Sequence, residues 1–244
     1  MVFLKNGMFP LLLPGQIHVW TLDLRSAGTR WLKKADVLSH DEARRASAFT
    51  RPADRRRFVA ARTCLRLLLG FYADADPRTL KFGYGPHGKP RLVGRKGSKR
   101  LHFNLSHAGH HALLAFSVGW PVGIDLERRV RKVQAQRLAR RFFSPKESTA
   151  LHALGARERV PEFLRLWVRK EALLKAAGLG VTSLRRCADF KPAGRRRWTG
   201  RFRGVSWTIA DLKAPYGFVA AIAARAGFLR IRQFRFRPGI VRQP

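Results

Sequence analysis

The chain has 244 residues, 45% of them hydrophobic, which excludes a disordered protein and allows one large domain or two small ones. Two cysteines exclude a disulfide framework and match no paired zinc spacing, so a reducing cytoplasm is expected. Fifty lysines and arginines against 15 acidic residues give a net charge of +35, which favours polyanionic partners: nucleic acid, an anionic membrane, an acidic protein or a polyphosphate ligand.

The first half of the chain is predicted to combine strands with one long helix. Residues 17–24 alternate apolar and polar side chains as a strand does, and Ser39 is the predicted N-cap of a helix. A longer helix is predicted over residues 54–71, and the glycines and prolines of residues 83–90 predict a loop. Three short strands are predicted at residues 101–106, 112–118 and 122–127.

The second half begins with helices and ends with strands. The predicted helices cover residues 133–143, a segment with Ser144 as N-cap and Pro145 at its first position, and a segment that begins at Pro161 and ends near residue 177. The predicted strands are residues 205–210, 217–224 and 228–236. The expected fold is therefore α+β, with an N-terminal lobe at residues 1–119 and a C-terminal lobe at residues 120–244.

No membrane partner is expected. The apolar stretch at residues 8–14 is too short, and too interrupted by prolines, for a signal peptide. No run reaches the 18 or so apolar residues that a membrane span needs. A cytoplasmic monomer is the expectation.

Because acidic residues are scarce, their clusters are informative. Asp125 and Glu127 are two apart in a predicted strand and point to the same face. Adjacent carboxylates repel unless a cation lies between them, and such hard oxygen ligands suit magnesium. The alternative is an exposed strand end whose acids pair with Arg128 or Arg129.

A second cluster lies in the segment WVRKEALLK. On a helix, Trp167, Glu171 and Lys175 fall on one stripe. Glu171 has a lysine on either side in the segment, which favours its ionised form as a metal ligand or proton acceptor. The alternative is a surface Glu–Lys pair beside a core tryptophan.

Polar and basic residues complete the pattern. Ser106 and His107 end an apolar strand, where they could contact a ligand, and Lys89 stands between glycine and proline in a loop. Zinc held by the nearby histidines is an alternative, although their spacing matches no common zinc site. These histidines are His102, His107, His110 and His111.

The order of these motifs resembles the Sfp-type 4′-phosphopantetheinyl transferase family. A basic helix is followed by GKP, FNLSH, GIDLE, FSPKE and WxxKEAxxK, and the resemblance covers about residues 39 to 180. It implies two similar α+β lobes, each a small sheet packed with a long helix, and an active site at their junction. It also implies transfer of 4′-phosphopantetheine from coenzyme A to a serine of an acidic acyl or peptidyl carrier protein.

The resemblance further implies a role for each matching residue. Asp125, Glu127 and Glu171 would bind magnesium, or manganese in its place. Glu171 would also act as the base, and Lys175 would contact the transferred phosphate. The residues implied for coenzyme A are Arg57, Phe58, Arg62, Lys89, Ser106, His107 and Lys175. The sequence departs from the family at Glu42, where the family can have a lysine that contacts the nucleotide, while Arg45 keeps a positive charge nearby.

Two other classes of function remain open from the residues. The net charge and interleaved aromatics allow a nucleic-acid-binding protein, although no helix-turn-helix, zinc-finger or RNP-type motif is present. The D-x-E pair allows a magnesium-dependent nuclease or phosphatase. Compositional drift toward arginine and a functional role explain the surplus charge equally well. The charge itself would give only loose, non-specific binding of nucleic acid.

Overall fold

The structure, a computed structural model, describes residues 3–4, 7–8, 10–25, 36–94, 101–129, 133–187, 190–225 and 230–236. The helices are α1 His40–Ser47, α2 Pro52–Tyr72, α3 Ala135–Phe142, α4 Pro145–Ala153 and α5 Ala156–Ala177. The strands are β1 Phe3–Leu4, β2 Gly7–Met8, β3 Gln16–Asp23, β4 Lys81–Tyr84, β5 Pro90–Val93, β6 Leu101–Ala108, β7 His111–Val118, β8 Val122–Arg128, β9 Lys191–Pro192, β10 Arg197–Phe202, β11 Val205–Asp211, β12 Phe218–Arg225 and β13 Arg230–Arg235. Short 3₁₀ helices are Pro77–Thr79 and Val181–Arg186.

Two sheets organise the fold, and the predicted α+β class is confirmed. The first sheet has the strand order β13-β3-β7-β6, and the second has the order β8-β12-β11-β10-β9. Pairing is antiparallel except between β13 and β3, which are parallel. Strands β4 and β5 form a separate hairpin, as do β1 and β2. Strand β13 comes after the predicted lobe boundary at residue 119 but belongs to the first sheet. The lobe boundary itself stays a prediction.

Each sheet is covered on one face by a long helix and on the other by its partner sheet. Helix α2 buries its leucines, such as Leu65 and Leu68, in the first core cluster. Helix α5 buries Leu164 and Val168 in a second cluster. A third cluster joins residues of both sheets, including Ile17 and Leu113 from the first and Ile124 and Ile222 from the second. The layers therefore stack as helix, sheet, sheet, helix.

Several predicted helix starts are confirmed by their capping contacts. Ser39 accepts a hydrogen bond from the Glu42 backbone N–H in a capping box at α1, and Ser144 forms the same motif at α4. The predicted start of α5 at Pro161 is wrong, because the helix begins at Ala156 and contains the proline. The Arg159 side chain donates to carbonyls at the end of α4, such as that of Leu154 at 2.6 Å, which anchors this earlier turn.

Other expectations differ from the structure in informative ways. The loop predicted at residues 83–90 is the tip and flanks of the β4–β5 hairpin. The alternation at residues 17–24 predicts one exposed face, yet His18 and Trp20 are buried under α2 because both contact the Tyr72 hydroxyl. Of the last predicted strand, residues 228–229 lie outside the described part of the chain. Within the described residues, no helix combines the length and apolar character that a membrane crossing requires.

Candidate active site

The predicted site residues meet where the edge strands of the two sheets run side by side. Strand β6 ends the first sheet and β8 ends the second. A buried side chain bridges them, because Asn104 Oδ1 on β6 accepts a 2.8 Å hydrogen bond from the Ile124 N–H on β8. Ser106 follows Asn104 on the same face of β6, and Asp125 follows Ile124 along β8. The seam therefore places these two side chains together.

Helix α5 lies so close to β8 that only glycine fits at position 123. A Cβ atom on Gly123 would lie 2.1 Å from the carbonyl oxygen of Ala172 and 2.2 Å from the backbone nitrogen of Ala176. Both distances are far inside van der Waals contact with backbone atoms that cannot turn away. This close approach brings the side chains of Glu171 and Lys175 onto the face of β8 that carries Asp125.

A buried polar cluster results at the seam. Ser106 Oγ donates to Asp125 Oδ1 at 2.9 Å, and Lys175 Nζ lies 2.6 Å from the same oxygen and 3.2 Å from Ser106 Oγ. The structure thus brings together three predicted residues from β6, β8 and α5. Asp125 Oδ2, on the other side of the carboxylate, is buried and has no hydrogen-bond partner among the described residues.

Glu171 faces this cluster from one turn back along α5. Burial raises the pKa of Glu171 to about 7, Asp125 and Glu127 add to the rise, and Lys175 opposes it. Asp125 and Glu127, two apart on β8, project from the face against which α5 packs, so the three predicted carboxylates lie on the same side of that strand. Glu171 Oε1 is also buried without a hydrogen-bond partner within the described part of the chain.

The carboxylates of this cluster supply some of the oxygen ligands that a hard divalent cation needs. Two buried carboxylate oxygens that have no partner among the described residues, beside a half-buried third acid, are the kind of ligand that magnesium takes together with water and phosphate. Across the described residues, no three or more histidine, cysteine, aspartate or glutamate side chains are grouped closely enough to hold a metal ion. Lys175 pairs with Asp125 at 2.6 Å and partly neutralises it.

A cavity of about 500 Å³ opens beside the cluster on the first lobe. Its walls combine cations with aromatic rings, among them Arg45, Phe49, Arg57, Phe58, Tyr84 and His107. Burial lowers the pKa of His107, and Lys175 and Arg57 lower it further. His107 lines the cavity and the preceding residue of β6, Ser106, belongs to the carboxylate cluster, so the two features adjoin along this strand.

Glu42 is a structural residue and does not face this cavity. It is buried at the first turn of α1, where it forms ion pairs with Arg62 and Arg66 of α2. Arg66 is fully buried and also donates to the carbonyl oxygen of Pro77 at 2.7 Å. Arg62 lines the cavity but is held by Glu42 and by the ring of Phe82. The positive charge at the cavity comes instead from Arg45, one turn beyond Glu42 and stacked on Phe58.

Lys89 is directed away from the cavity that its neighbours Gly88 and Pro90 help to line. Its ammonium donates to the carbonyl oxygens of Val122 at 2.9 Å and Lys175 at 2.6 Å, with Ala176 at 3.4 Å. These contacts tie the β4–β5 loop of the first lobe to the end of α5 in the second. Ser106 and Lys175 also lie in the carboxylate cluster rather than on the cavity wall.

Two further residues hold the site together, although neither is among the residues predicted to bind or react. Asn104 joins the lobes, and its signal is an amide between two apolar residues, Phe103 and Leu105, in the middle of a strand. Lys170 is buried, donates to Leu184 and Cys187 carbonyl oxygens and pairs with Glu147 at 2.8 Å. Its contacts fix α5 against α4 and the following 3₁₀ helix, so this lysine points away from the site.

Comparison with known families agrees with this geometry. Residues 121–223 match the 4′-phosphopantetheinyl transferase superfamily model, and residues 25–118 match the model for the N-terminal region of 4′-phosphopantetheinyl transferases. The two matched segments meet between β7 and β8, the strands on either side of the joint.

Individual relatives carry related names. The 4′-phosphopantetheinyl transferase HetI of Nostoc sp. is 36% identical over 221 residues, which are 89% of this chain and 90% of that protein. The 4′-phosphopantetheinyl transferase Sfp of Bacillus subtilis is 32% identical over 157 residues, covering 59% and 67% of the two chains. The L-aminoadipate-semialdehyde dehydrogenase-phosphopantetheinyl transferase of Xenopus laevis is 27% identical over 159 residues, covering 62% and 53%. Together with the seam that joins Ser106, Asp125 and Lys175, these matches establish that the chain belongs to the 4′-phosphopantetheinyl transferase family.

Proposed function

We propose that the protein transfers the 4′-phosphopantetheine group from coenzyme A to a serine of an apo acyl or peptidyl carrier protein and releases adenosine 3′,5′-bisphosphate. The observation that carries the proposal is the junction between a cationic, aromatic cavity and a buried carboxylate–lysine cluster, where two adjacent residues of β6 belong one to each: His107 to the cavity and Ser106 to the cluster. A nucleotide donor needs the first element, and phosphoryl transfer needs the second.

The cavity has the chemistry of the nucleotide end of coenzyme A. Phe49, Phe58 and Tyr84 offer faces for a base to stack on, and Arg45 and Arg57 offer charge for phosphates. Arg62 contributes less positive charge to the cavity, because its guanidinium is already paired with Glu42. Family resemblance assigns Lys89 to the phosphates, but its contacts with carbonyl oxygens support a role in joining the lobes.

Magnesium, with manganese as a substitute, would be held by Asp125, Glu127 and Glu171. The two unpartnered oxygens of Asp125 and Glu171 support this assignment. When bound, a divalent cation offsets the charge of the pyrophosphate and of the departing nucleotide. The hard oxygen ligands of the carboxylates favour magnesium over zinc.

The protein's own side chains would accept the serine proton and neutralise the charge that develops on the phosphate. The serine oxygen forms a bond to the β-phosphorus while the bond from that phosphorus to the bridging oxygen of the nucleotide breaks. Glu171, whose Oε1 has no hydrogen-bond partner among the described residues, accepts the serine proton. Lys175, already at the cluster, neutralises charge on the transferred phosphate, and Ser106 orients Asp125.

Intact-mass spectrometry tests the proposal directly. The protein, coenzyme A, magnesium and an apo carrier protein should yield a carrier heavier by one phosphopantetheine group, together with one adenosine 3′,5′-bisphosphate. A carrier whose modified serine is replaced by alanine is the control. Release of the bisphosphate without a heavier carrier would indicate a phosphoesterase, and no consumption of coenzyme A would overturn the proposal.

A further inference from the structure

Three elements of the first lobe supply walls of the nucleotide cavity beside β6. Helix α1 and the turn after it supply Arg45 and Phe49, helix α2 supplies Phe58, and the β4–β5 hairpin supplies Tyr84. Among the described strands, this hairpin pairs with neither of the two main sheets. Its place beside the helices, and with it the width of the cavity, therefore depends on side-chain contacts.

The Glu42 carboxylate lies where the two helices meet. Its Oε1 accepts a 2.5 Å hydrogen bond from Arg62 Nε, and its Oε2 accepts one from Arg66 Nε. The backbone N–H and the hydroxyl of Ser39, at the start of α1, donate to Oε2 at 3.1 Å and 3.3 Å. An ionised carboxylate accepts about four hydrogen bonds, so these donors match its capacity. Glu42, Arg62 and Arg66 form a unit that we call the Glu42 cluster.

Arg66 extends the Glu42 cluster to the root of the hairpin. Its Nη1 donates to the carbonyl oxygens of Pro77 at 2.7 Å and Leu80 at 3.1 Å, and Leu80 is the residue before β4. Arg66 is 1% exposed, so water does not compete for these hydrogen bonds. The segment that leads into the hairpin is therefore tied to α2.

Phe82 connects the Glu42 cluster to the body of the hairpin. The guanidinium carbons of Arg62 and Arg66 lie 4.9 Å and 5.0 Å from the centre of the Phe82 ring, within the range of cation–π attraction. The Phe103 ring of β6 meets the Phe82 ring edge-on at 5.8 Å. Alternate residues of a strand point to the same face, so the place of Tyr84 on the cavity wall follows from that of Phe82.

Stability alone does not account for a charged cluster at this place. Charges removed from water lose hydration that their attraction barely restores, and an apolar pair of similar volume is often as stable. Hydrogen bonds between a carboxylate and a guanidinium have fixed directions, which apolar contacts lack. Such a cluster is suited to fixing the relative orientation of the elements that it joins.

We propose that Glu42 and Arg66 are positioning residues for the nucleotide donor. They hold α1, α2 and the β4–β5 hairpin so that Arg45, Phe58 and Tyr84 are in place before the nucleotide binds, and they act without touching it. The inference rests on the proposed function and adds residues outside the cavity that set the affinity for coenzyme A.

Glu42→Gln separates positioning from simple electrostatics, because the two explanations predict opposite signs. If charge alone mattered, loss of a carboxylate and release of Arg62, which lines the cavity, would strengthen the binding of a polyphosphate. Positioning predicts that the Kd for coenzyme A, measured by calorimetry without a carrier, rises about tenfold, because the walls must be ordered on binding. The Kd for adenosine 3′,5′-bisphosphate should rise by the same factor, because it contains the nucleotide end alone.

Two further variants separate positioning from stability, which urea unfolding measures. Glu42→Gln with Arg66→Met removes two buried charges together, so it should recover part of the stability lost in Glu42→Gln and still bind coenzyme A weakly. Phe82→Leu leaves the Glu42 cluster paired but removes the ring contact, so it should also raise the Kd. The control is Tyr72→Phe, which removes a buried hydroxyl of α2 that bonds to His18 and Trp20. It should lower stability and leave the Kd unchanged.

Hydrogen exchange gives a readout of the hairpin itself. Backbone amides of β4 and β5 should exchange faster in Phe82→Leu and Glu42→Gln than in the wild type, while those of β7, inside the first sheet, change less. Saturating coenzyme A should restore the protection of the hairpin in both variants, because the bound nucleotide then holds the walls in place.

The outcomes distinguish this inference from the proposed function. Unchanged or tighter binding of coenzyme A by both Glu42→Gln and Phe82→Leu would overturn the inference. An affinity that returns with stability in the double variant, or an equal loss in Tyr72→Phe, would also overturn it, because the effect would then be one of stability alone. A wild type that binds coenzyme A but modifies no carrier would remove the proposed function and leave the positioning role supported by these affinities. A wild type that binds neither coenzyme A nor the bisphosphate would overturn both.

Discussion

Lys89 Nζ donates a 2.6 Å hydrogen bond to the main-chain carbonyl oxygen of Lys175, so a loop of one lobe holds the end of the helix that carries the proposed catalytic lysine of the other. A cation at a helix C-terminus also interacts favourably with the helix dipole.

Lys89→Met keeps the length of the side chain and removes its charge and hydrogen bonds. It should lower the free energy of unfolding by about 2 kcal/mol, because carbonyl oxygens lose a charged donor. It should also lower kcat through misplacement of Lys175. Urea unfolding measures the first effect, and Lys81→Met, an exposed change on β4, is the control. Unchanged stability with a much weaker affinity for coenzyme A would restore the phosphate-binding role that the sequence predicts.

Asp125→Ala and Glu171→Ala should each abolish transfer while the circular dichroism spectrum is retained. The reason is that each removes a buried carboxylate oxygen without a protein partner, and few other acids are available to replace it. Magnesium binding without substrates, measured by calorimetry, should weaken in both variants and persist in Glu158→Ala, an exposed change in the first turn of α5. Near wild-type turnover in either site variant would disprove the metal assignment.

Transfer should require magnesium or manganese, should stop in EDTA, and should not return with trace zinc. Hard oxygen ligands account for this preference, since zinc favours nitrogen and sulfur. The measurement is product mass after exhaustive chelation and return of single metals. Full activity of the chelated protein would contradict the expectation.

Lys175→Ala and His107→Ala should affect different kinetic constants. Lys175 belongs to the buried cluster where charge develops, so its loss should lower mainly kcat. His107 lines the nucleotide cavity, so its loss should raise mainly the KM for coenzyme A. Steady-state kinetics at saturating carrier decide between them, and the reverse pattern would mean that the two roles are exchanged.

Stability should fall in mild acid because of His18, which is far from the site. Burial lowers the pKa of His18 to about 4 from 6.5, and Arg232 adds to this effect. The unfolded chain therefore binds this proton first, so stability falls as pH decreases from about 6.5 to 4. At pH 5 the loss from this group is about 2 kcal/mol. Urea unfolding of His18→Gln should show a shallower pH slope than the wild type, whereas His40→Gln, an exposed change at the start of α1, should not.

Local signals in the sequence predict most elements of the fold. Ser39 and Ser144 mark helix starts because capping depends on neighbours only a few residues away. Pro161 misplaces the start of α5, because the helix before it is anchored by Arg159 contacts with another helix, which no local pattern reveals. Helix α2, which buries His18 of β3, is equally invisible in the alternation of that strand.

The candidate site shows the same division. Asp125, Glu127, Glu171 and Lys175 are predictable from motifs because spacing alone puts each pair on one face of a strand or helix. The direction of the Lys89 side chain cannot be predicted in this way, because it depends on carbonyl oxygens 33 to 87 residues away in the chain. Resemblance to a family identified the residue without its orientation.

The parallel pairing of β13 with β3 makes the two lobes topologically dependent on each other. A fragment of residues 1–119 would contain every strand of the first sheet except this one, and Phe234, stacked on Trp20 at 4.8 Å, would be lost with it. The edge of β3 would then expose unpaired backbone groups and become a template for intermolecular pairing. Separate expression of the lobes should therefore yield an aggregating first lobe.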